Sequence, residues 1–443
     1  MDDSLSLRQR IYKMLMESQF WPPDQMLAYQ RNQLTQLLHH ARAQAPFYKT
    51  RLDPVFSRGG GIDWDRWHEI PIVTRAELRD NFQTMLANFM PPGHGPSKTY
   101  RSSGSSGIPI AIETTRISSE AKVAAISRFY RNLHIDRRKT SARVSHFAAN
   151  GETLREEFYL KKRQRSESLP DDQTTEVVIN RNLPEARKLE LLQSFGVSYL
   201  HEITNNAEIL ATSNLHSKNP LKLDAVMSYS QALTDFHIDL FQRSFGARSF
   251  SIYSSKEGGL MGCQCGNLNM YHLNAELIHL EIVDAEGKLC EPGQAGRVII
   301  TPFFGTALPL VRYDQGDTAE LHPSGCGCGS KLPVLKNVTG RQDQILRLPD
   351  GPRAVGGLFQ NLMRENLNAL AFQLAQVAPL TLEIRYIPID PKIRVEAAPI
   401  LAHVHEFLHR DMDVVFRQID KIPLNSGGKQ QRVVCEIDKQ PGS

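Results

Sequence analysis

Three observations predict an α/β protein built as a large multi-subdomain body followed by a small α+β domain. The chain has 443 residues, more than one hydrophobic core serves, so two or three domains are expected. From about residue 118 to 250, helical patterns alternate with short apolar runs, as in layered α/β folds. Further on the pattern turns to hairpins, and the last hundred residues again interleave helix and strand.

Composition narrows the function classes. Hydrophobic residues make up 41% and charged residues 23%, as in an ordinary globular protein. With 52 Lys and Arg against 48 Asp and Glu, the net charge of +4 gives no basis for a nucleic acid or an anionic membrane as partner. The basic run Lys161-Lys162-Arg163-Gln164-Arg165 reads as a solvated face. No apolar stretch approaches the ~20 residues of a membrane span. The N-terminal MDDSLSLRQRIYKML lacks the apolar core of a signal peptide. Six cysteines, few and clustered, do not make a disulfide scaffold, so a cytoplasmic location is expected.

In chain order, Leu34, Leu37 and Leu38 recur at helical spacing, and Pro46 ends that helix. Thr74 and Glu77 form a capping box ahead of a helix with Leu78 and Phe82 on one side. Between two extended segments, Ser102-Ser103-Gly104-Ser105-Ser106-Gly107 is a run of small side chains. There backbone N–H groups and hydroxyls can converge on an anion. No Gly-Lys-Ser/Thr follows, so it is not a Walker A loop. The ELLQSFGVSYL region and TDFHIDLFQRSFG read as helical, and Ala225-Val226-Met227 as a strand. His146, His201 and His237 read as packing histidines. The segment Ser251 to Gly259 is an apolar strand ending in a polar turn at Lys256-Glu257. LIHLEIVDAEGKL and AGRVIITPFF form hairpin strands, with a turn at Glu286-Gly287, and predict an antiparallel sheet or small barrel.

Next, Arg312, Tyr313, Asp314, Gly316 and Asp317 read as an acidic loop. Asp317 follows a flexible glycine and can accept hydrogen bonds from both hydroxyls of a ribose. The turn Gly340-Arg341-Gln342-Asp343 reads as a joint between domains. After it, LFQNLMRENLNAL and APILAHVHEFLHR are helical, while TLEIRYIPI and MDVVFRQI are strand-like. Lys429 follows Gly427-Gly428 on a loop whose freedom lets a compact cation reach beyond its own domain. Cys263, Cys265, His272, Cys326 and Cys328 bring four thiols and one imidazole together. Zinc takes four such ligands in a closed tetrahedron, although Cys-x-Cys is tighter than the usual spacing.

Taken in this order, the Ser/Gly run, the YSSKE turn, RYDxGD, GRxD and the lysine after IPxNSGG resemble the adenylate-forming ligases. The closer likeness is to the branch typified by phenylacetate-CoA ligase and coenzyme F390 synthetase, and it covers nearly the whole chain. The resemblance implies a body over 1–342 and a mobile C-terminal domain over 343–443, hinged at Asp343. It implies ATP with Mg²⁺, a carboxylic acid (aromatic favoured) and coenzyme A as reactants, and a structural Zn²⁺. Residues 102–107 would hold pyrophosphate, and Tyr253, Ser254, Ser255 and Lys256 would line the ATP site. Glu257 would bind Mg²⁺, Asp317 and Arg341 the ribose, and Lys429 would bridge the carboxylate and the α-phosphate. The branch's Cys/His pattern picks Cys265, His272, Cys326 and Cys328, with Cys263 as a substitute and Cys290 and Cys435 free. The acyl pocket is expected around Phe147–Ala149, Ser228–Ser230 and Tyr253. Two departures stand out: Ile108 replaces the family's usual lysine, and Lys256 its threonine. The alternatives are an adenylating enzyme that passes its acyl group to a carrier-protein pantetheine or an amine, and a nucleotide-binding relative without turnover.

Overall fold

The computed structural model describes the chain apart from residues 1–4, 102–109, 146–147, 150–151, 154–155, 163–174, 232, 267–269, 340–344, 355–361, 364–365, 368, 391, 393–394, 424–430 and 438–443. Helix α1 (Leu7–Ser18) opens with a Ser6/Gln9 capping box, and α2 (Pro23–Gln44) starts with proline at its first turn. Leu34, Leu37 and Leu38 are buried on one face of α2, which ends just before Pro46 as expected. Thr74 caps α3 (Arg75–Asp80) through the predicted box with Glu77. The helix breaks at Asn81, however, so Leu78 and Phe82 lie on two helices, Phe82 opening α4 (Phe82–Met85).

The Ser/Gly run itself lies outside the described residues. Its flanks are the expected extended segments, β1 (Ser97–Arg101) and β2 (Ala111–Thr115), paired antiparallel. There follow α5 (Arg116–Asn132), β3 (Ser141–Ser145), the short β4 (Ala148–Ala149) and β5 (Glu152–Thr153), β6 (Phe158–Lys162) and β7 (Thr175–Asn180). The alternation continues through α6 (Glu185–Ser194), β8 (Tyr199–Ile203), α7 (Thr204–Leu215), β9 (Ala225–Tyr229) and α8 (Asp235–Phe245). Helix α8 ends at Gly246, whose φ of +67° is the left-handed cap that glycine adopts without strain.

Next come β10 (Arg248–Ser255), β11 (Gly259–Gln264), β12 (Met270–Leu273), β13 (Ile278–Val283), β14 (Ala295–Pro302), β15 (Tyr313–Leu321) and β16 (Val334–Thr339). These and the earlier strands make one twelve-stranded sheet in the order β13-β14-β15-β16-β12-β11-β10-β9-β8-β3-β7-β6. Strands β10, β9, β8, β3 and β7 run parallel, while β13 to β16 are antiparallel. The expected hairpin region is therefore one flank of a continuous sheet. Helices α6, α7 and α8 cover one face of the parallel half, and α1 and α5 pack on the other.

The last hundred residues carry a second, smaller sheet. Hairpin β17 (Ile345–Leu348) and β18 (Gly351–Ala354) precede a four-stranded sheet, β21-β20-β19-β22. Its strands are β19 (Ala369–Ala378), β20 (Thr381–Pro388), β21 (Asp413–Gln418) and β22 (Val433–Cys435). Helix α9 (Ala397–Phe407) packs on it through Ile400 and Val404, within a core of its own.

A buried ion pair ties the N-terminal helices to the sheet. Arg128 on α5 meets Glu276 at 2.6 Å and donates to the Asn274 side chain and the Leu15 carbonyl, while Ser18 donates to Glu276. Removing one partner of a fully buried pair leaves an uncompensated charge. Arg128→Met is expected to cost about 3–5 kcal/mol, read as a lower unfolding midpoint in denaturant.

Candidate active site

The site is assembled where the parallel and antiparallel halves of the sheet meet. Tyr253, on β10, donates its hydroxyl to Asp317 on β15 at 2.7 Å. Asp317 is delivered by a distortion of the strand. Pairing of β14 with β15 shifts register between Arg297 and Ile299, and Gly316 sits in the distortion at φ +77°. The RYDxGD segment, expected as a loop, is thus the start of β15, kinked where glycine tolerates the left-handed region.

Its other residues divide into structural and local roles. Arg312 is buried at φ +51°, pairs with Glu281 at 3.1 Å, and donates to the carbonyls of His68 and Ile70. It fastens the 68–70 segment to the sheet. Asp314 pairs with Arg297 at 2.9 Å and accepts the Gly316 N–H. Gln315, the variable residue of the pattern, is buried and accepts a hydrogen bond from Ser255.

Beyond β10 the chain turns at 256–258. Lys256 is exposed and Glu257 is buried, the latter facing Arg75 at the start of α3 across 3.3 Å. Gly258 lets the turn pack close against β11 and β14, since a Cβ there would lie 2.6 Å from the Met261 sulfur and 2.9 Å from Ile300. Ser255 accepts the Gly258 N–H and closes the turn, and Ser254 lies half-buried beside it. Neither Arg75 nor Gln315 was legible as a site residue, because their partners lie far away in the chain or behind a variable position. Ser102 to Gly107, Arg341, Asp343 and Lys429 fall outside the described residues, as does Phe147.

On the α5 side of the sheet lies a polar cleft at the amino-terminal half of the parallel strands, lined by Tyr130, Arg137, Ser141, Arg143, Glu176, Tyr199, His201 and Met227. Met227, level with His201, is two residues below Tyr229, about 7 Å along the strand. Arg143 pairs with Glu176 at 2.8 Å, and the Tyr130 hydroxyl lies 3.3 Å from His201. Burial lowers the pKa of Lys122 on α5, and Arg143 lowers it further.

The Cys/His set converges. Cys265, His272, Cys326 and Cys328 place their ligand atoms within 4.8 Å of one another. His272 Nε2 lies 2.8 Å from the Cys326 sulfur and 3.2 Å from that of Cys328, and Cys265 is 3.5 Å from Cys326. A zinc tetrahedron with ~2.3 Å bonds to sulfur has edges of about 3.8 Å, so the donor set fits the ion. Cys263, the expected substitute, instead packs among the apolar residues under α5, where burial pushes its thiol up to about 12. Cys290 and Cys435 are free, as expected.

Glu202, at the end of β8, is a further buried acid that the sequence did not single out. Burial pushes its carboxyl up to about 7, against the opposing pull of Arg181 at 3.0 Å. Between pH 7 and the ordinary value of 4.5 the folded protein holds a proton that the unfolded chain has released. Its contribution to stability therefore rises as pH falls through that window. Glu202→Gln should abolish it, so the difference in unfolding midpoint between wild type and variant shifts in favour of wild type from pH 7 to 5.

No protein-family model matches the chain. A phenylacetate-coenzyme A ligase of Thermus thermophilus is 23% identical over 345 residues, 73% of this chain and 72% of that protein. The fold is that of 2-hydroxyisobutyryl-CoA ligase in its postadenylation state, bound to an acyl-AMP. The TM-score is 0.71 at 16% identity over 96% of this chain and 94% of that one. The same ligase in its thioesterification state, with acyl-AMP and CoA, superposes at 0.59 over 95% and 92%. An anthranilate CoA ligase bound to anthranoyl-AMP matches at 0.52 and 15% identity over 75% of this chain and 64% of its own.

Proposed function

We infer that this chain, an adenylate-forming ligase by its fold and by its kinship with a phenylacetate-CoA ligase, activates a carboxylic acid with ATP and transfers the acyl group to coenzyme A. The observation that supports this reading is the Tyr253–Asp317 contact, joined to the Glu257 turn through the Ser255–Gln315 hydrogen bond; there Asp317 would bind the ribose and Glu257 the metal. In the first step a carboxylate oxygen attacks the α-phosphorus of ATP, and the bond to the β-phosphate breaks, releasing pyrophosphate. Negative charge builds on the phosphate oxygens, so catalysis is positioning and electrostatic stabilisation. Lys429 supplies the principal charge, the 102–107 run cradles pyrophosphate, and Asp317 with Arg341 fixes the ribose. Glu257 would hold the Mg²⁺ that accompanies ATP and neutralises its phosphates. Arg75, against Glu257, would add positive charge beside the metal-binding acid.

In the second step the thiol of coenzyme A attacks the acyl carbonyl and AMP leaves. The C-terminal domain, 343–443, turns about Asp343 and withdraws Lys429 to admit the thiol. The resemblance favours an aromatic acid. Cys265, His272, Cys326 and Cys328 would hold a structural zinc, and the reduced thiols suit a cytoplasmic setting.

Pyrophosphate release measured against a panel of plain and substituted aromatic acids and aliphatic acids tests the reading. Release that depends on the acid should fall at least about a hundredfold in Lys429→Ala, the order of effect of losing a principal transition-state charge. Release with no acid in the panel would sink it.

The zinc assignment has its own measurement. Elemental analysis should find zinc at one equivalent in the wild type and little in Cys326→Ser. Stripping the metal with a chelator should lower the thermal midpoint, because structural zinc contributes directly to folding.

A further inference from the structure

Helix α7 carries Glu208 and Ile209 side by side, and each meets one flank of the segment that holds Lys429. On the N-terminal flank, Ile422 is fully buried in a small cluster with Ile209 and Ala371. On the C-terminal flank, the Arg432 guanidinium pairs with Glu208 at 2.6 Å, both side chains almost wholly buried. Residues 424–430 lie between these two anchors in the sequence. Two adjacent residues of one helix thus clamp both ends of the stretch on which adenylation would depend.

Each charge is also fastened on its own side. Glu208 faces His237 Nε2 at 3.1 Å, and the Thr234 backbone N–H donates to His237 Nδ1 at 3.2 Å. Because Nδ1 accepts that bond, the ring donates from Nε2 to the Glu208 carboxylate. Arg432 donates to the Phe372 carbonyl at 3.2 Å, and its guanidinium lies over the Phe372 ring at 4.4 Å. The geometry is that of two prepared faces, one on the body and one on the C-terminal unit.

We propose that Glu208, with Arg432, is a positioning pair for adenylation, seating the Lys429 segment in the body for the first half-reaction and releasing it for the second. This rests on the proposed two-step chemistry. A buried ion pair is suited to such a joint. The desolvation of the two charges nearly offsets their attraction, so the docked state is only modestly favoured. Removing one charge leaves the other stranded in the docked state but hydrated when the domains part. The variant is thereby biased toward separation.

The test uses the full chain and separates the half-reactions. Acid-dependent exchange of pyrophosphate into ATP reports the first, and thioester formation from synthetic acyl-adenylate and CoA reports the second. In Glu208→Gln and Arg432→Met, exchange should fall at least about tenfold while thioester formation holds or quickens, and Arg432→Lys should recover part of the loss. Unchanged exchange overturns the proposal, as does an equal fall in both half-reactions, which would mean a merely structural contact. Small-angle scattering of the same variants reads docking without chemistry: the interdomain distance distribution should broaden in Arg432→Met. An unchanged distribution overturns the clamp even if wild type adenylates no acid, an outcome that would itself defeat the adenylation reading.

Discussion

The rest of the molecule depends on a strand of four residues. β12 bonds β11 on one edge and β16 on the other, and through it the parallel half of the sheet is continuous with the antiparallel half. Side chains alternate along a strand, so a slip of one residue there would turn every partner to the opposite face. The Tyr253–Asp317 bond spans this junction, its hydroxyl on the parallel side and its carboxylate on the antiparallel side. His272 lies on β12 itself, with Cys265 just beyond β11 and Cys326 and Cys328 on the connection leading into β16. A tetrahedral ion at these four atoms would lock the register that the site requires.

What the sequence made legible was local. Thr74 with Glu77 is a signal confined to one turn, and the structure places it as read. Alternation of apolar residues along β13 and β14 is equally short in range. The Cys/His set was readable because few side chains share its chemistry, so distant pairs could be matched by type. RYDxGD shows the limit. Its residues were identified, but strand pairing decides that Arg312 points into the core and holds backbone carbonyls while Asp317 faces Tyr253. Glu208 and Arg432 are 224 positions apart, and no period or motif links them. Such pairs exist only once the chain has folded.

Three of the buried arginine–carboxylate pairs among the described residues differ in how their bonds divide across the joint. Arg128 reaches a neighbouring carbonyl, an amide and a carboxylate on elements that all belong to the body, with Ser18 adding a bond to the same Glu276. Arg312 spreads its donors over Glu281 and two carbonyls of the 68–70 segment, again within the body. Pulling either pair apart strands several polar groups at once, at a cost of several kcal/mol. Both are fasteners of parts that stay together.

Arg432 and Glu208 are arranged otherwise. If β19 and α7 separate, Arg432 keeps the Phe372 carbonyl and ring, and Glu208 keeps His237. That separation breaks the ion pair and parts the apolar cluster of Ile209, Ala371 and Ile422. Each charge then meets water without having to find a new protein partner, which lowers the barrier to parting and leaves both side chains in place for return. A purely apolar joint of the same size would expose its whole area to water on opening, at ~25 cal/mol per Å². Mixing one ion pair with a small apolar cluster keeps the docked and parted states close in free energy. For the proposed two-step reaction, in which Lys429 would serve the first step, the joint needs that balance, because a seat that held too well would stop the second.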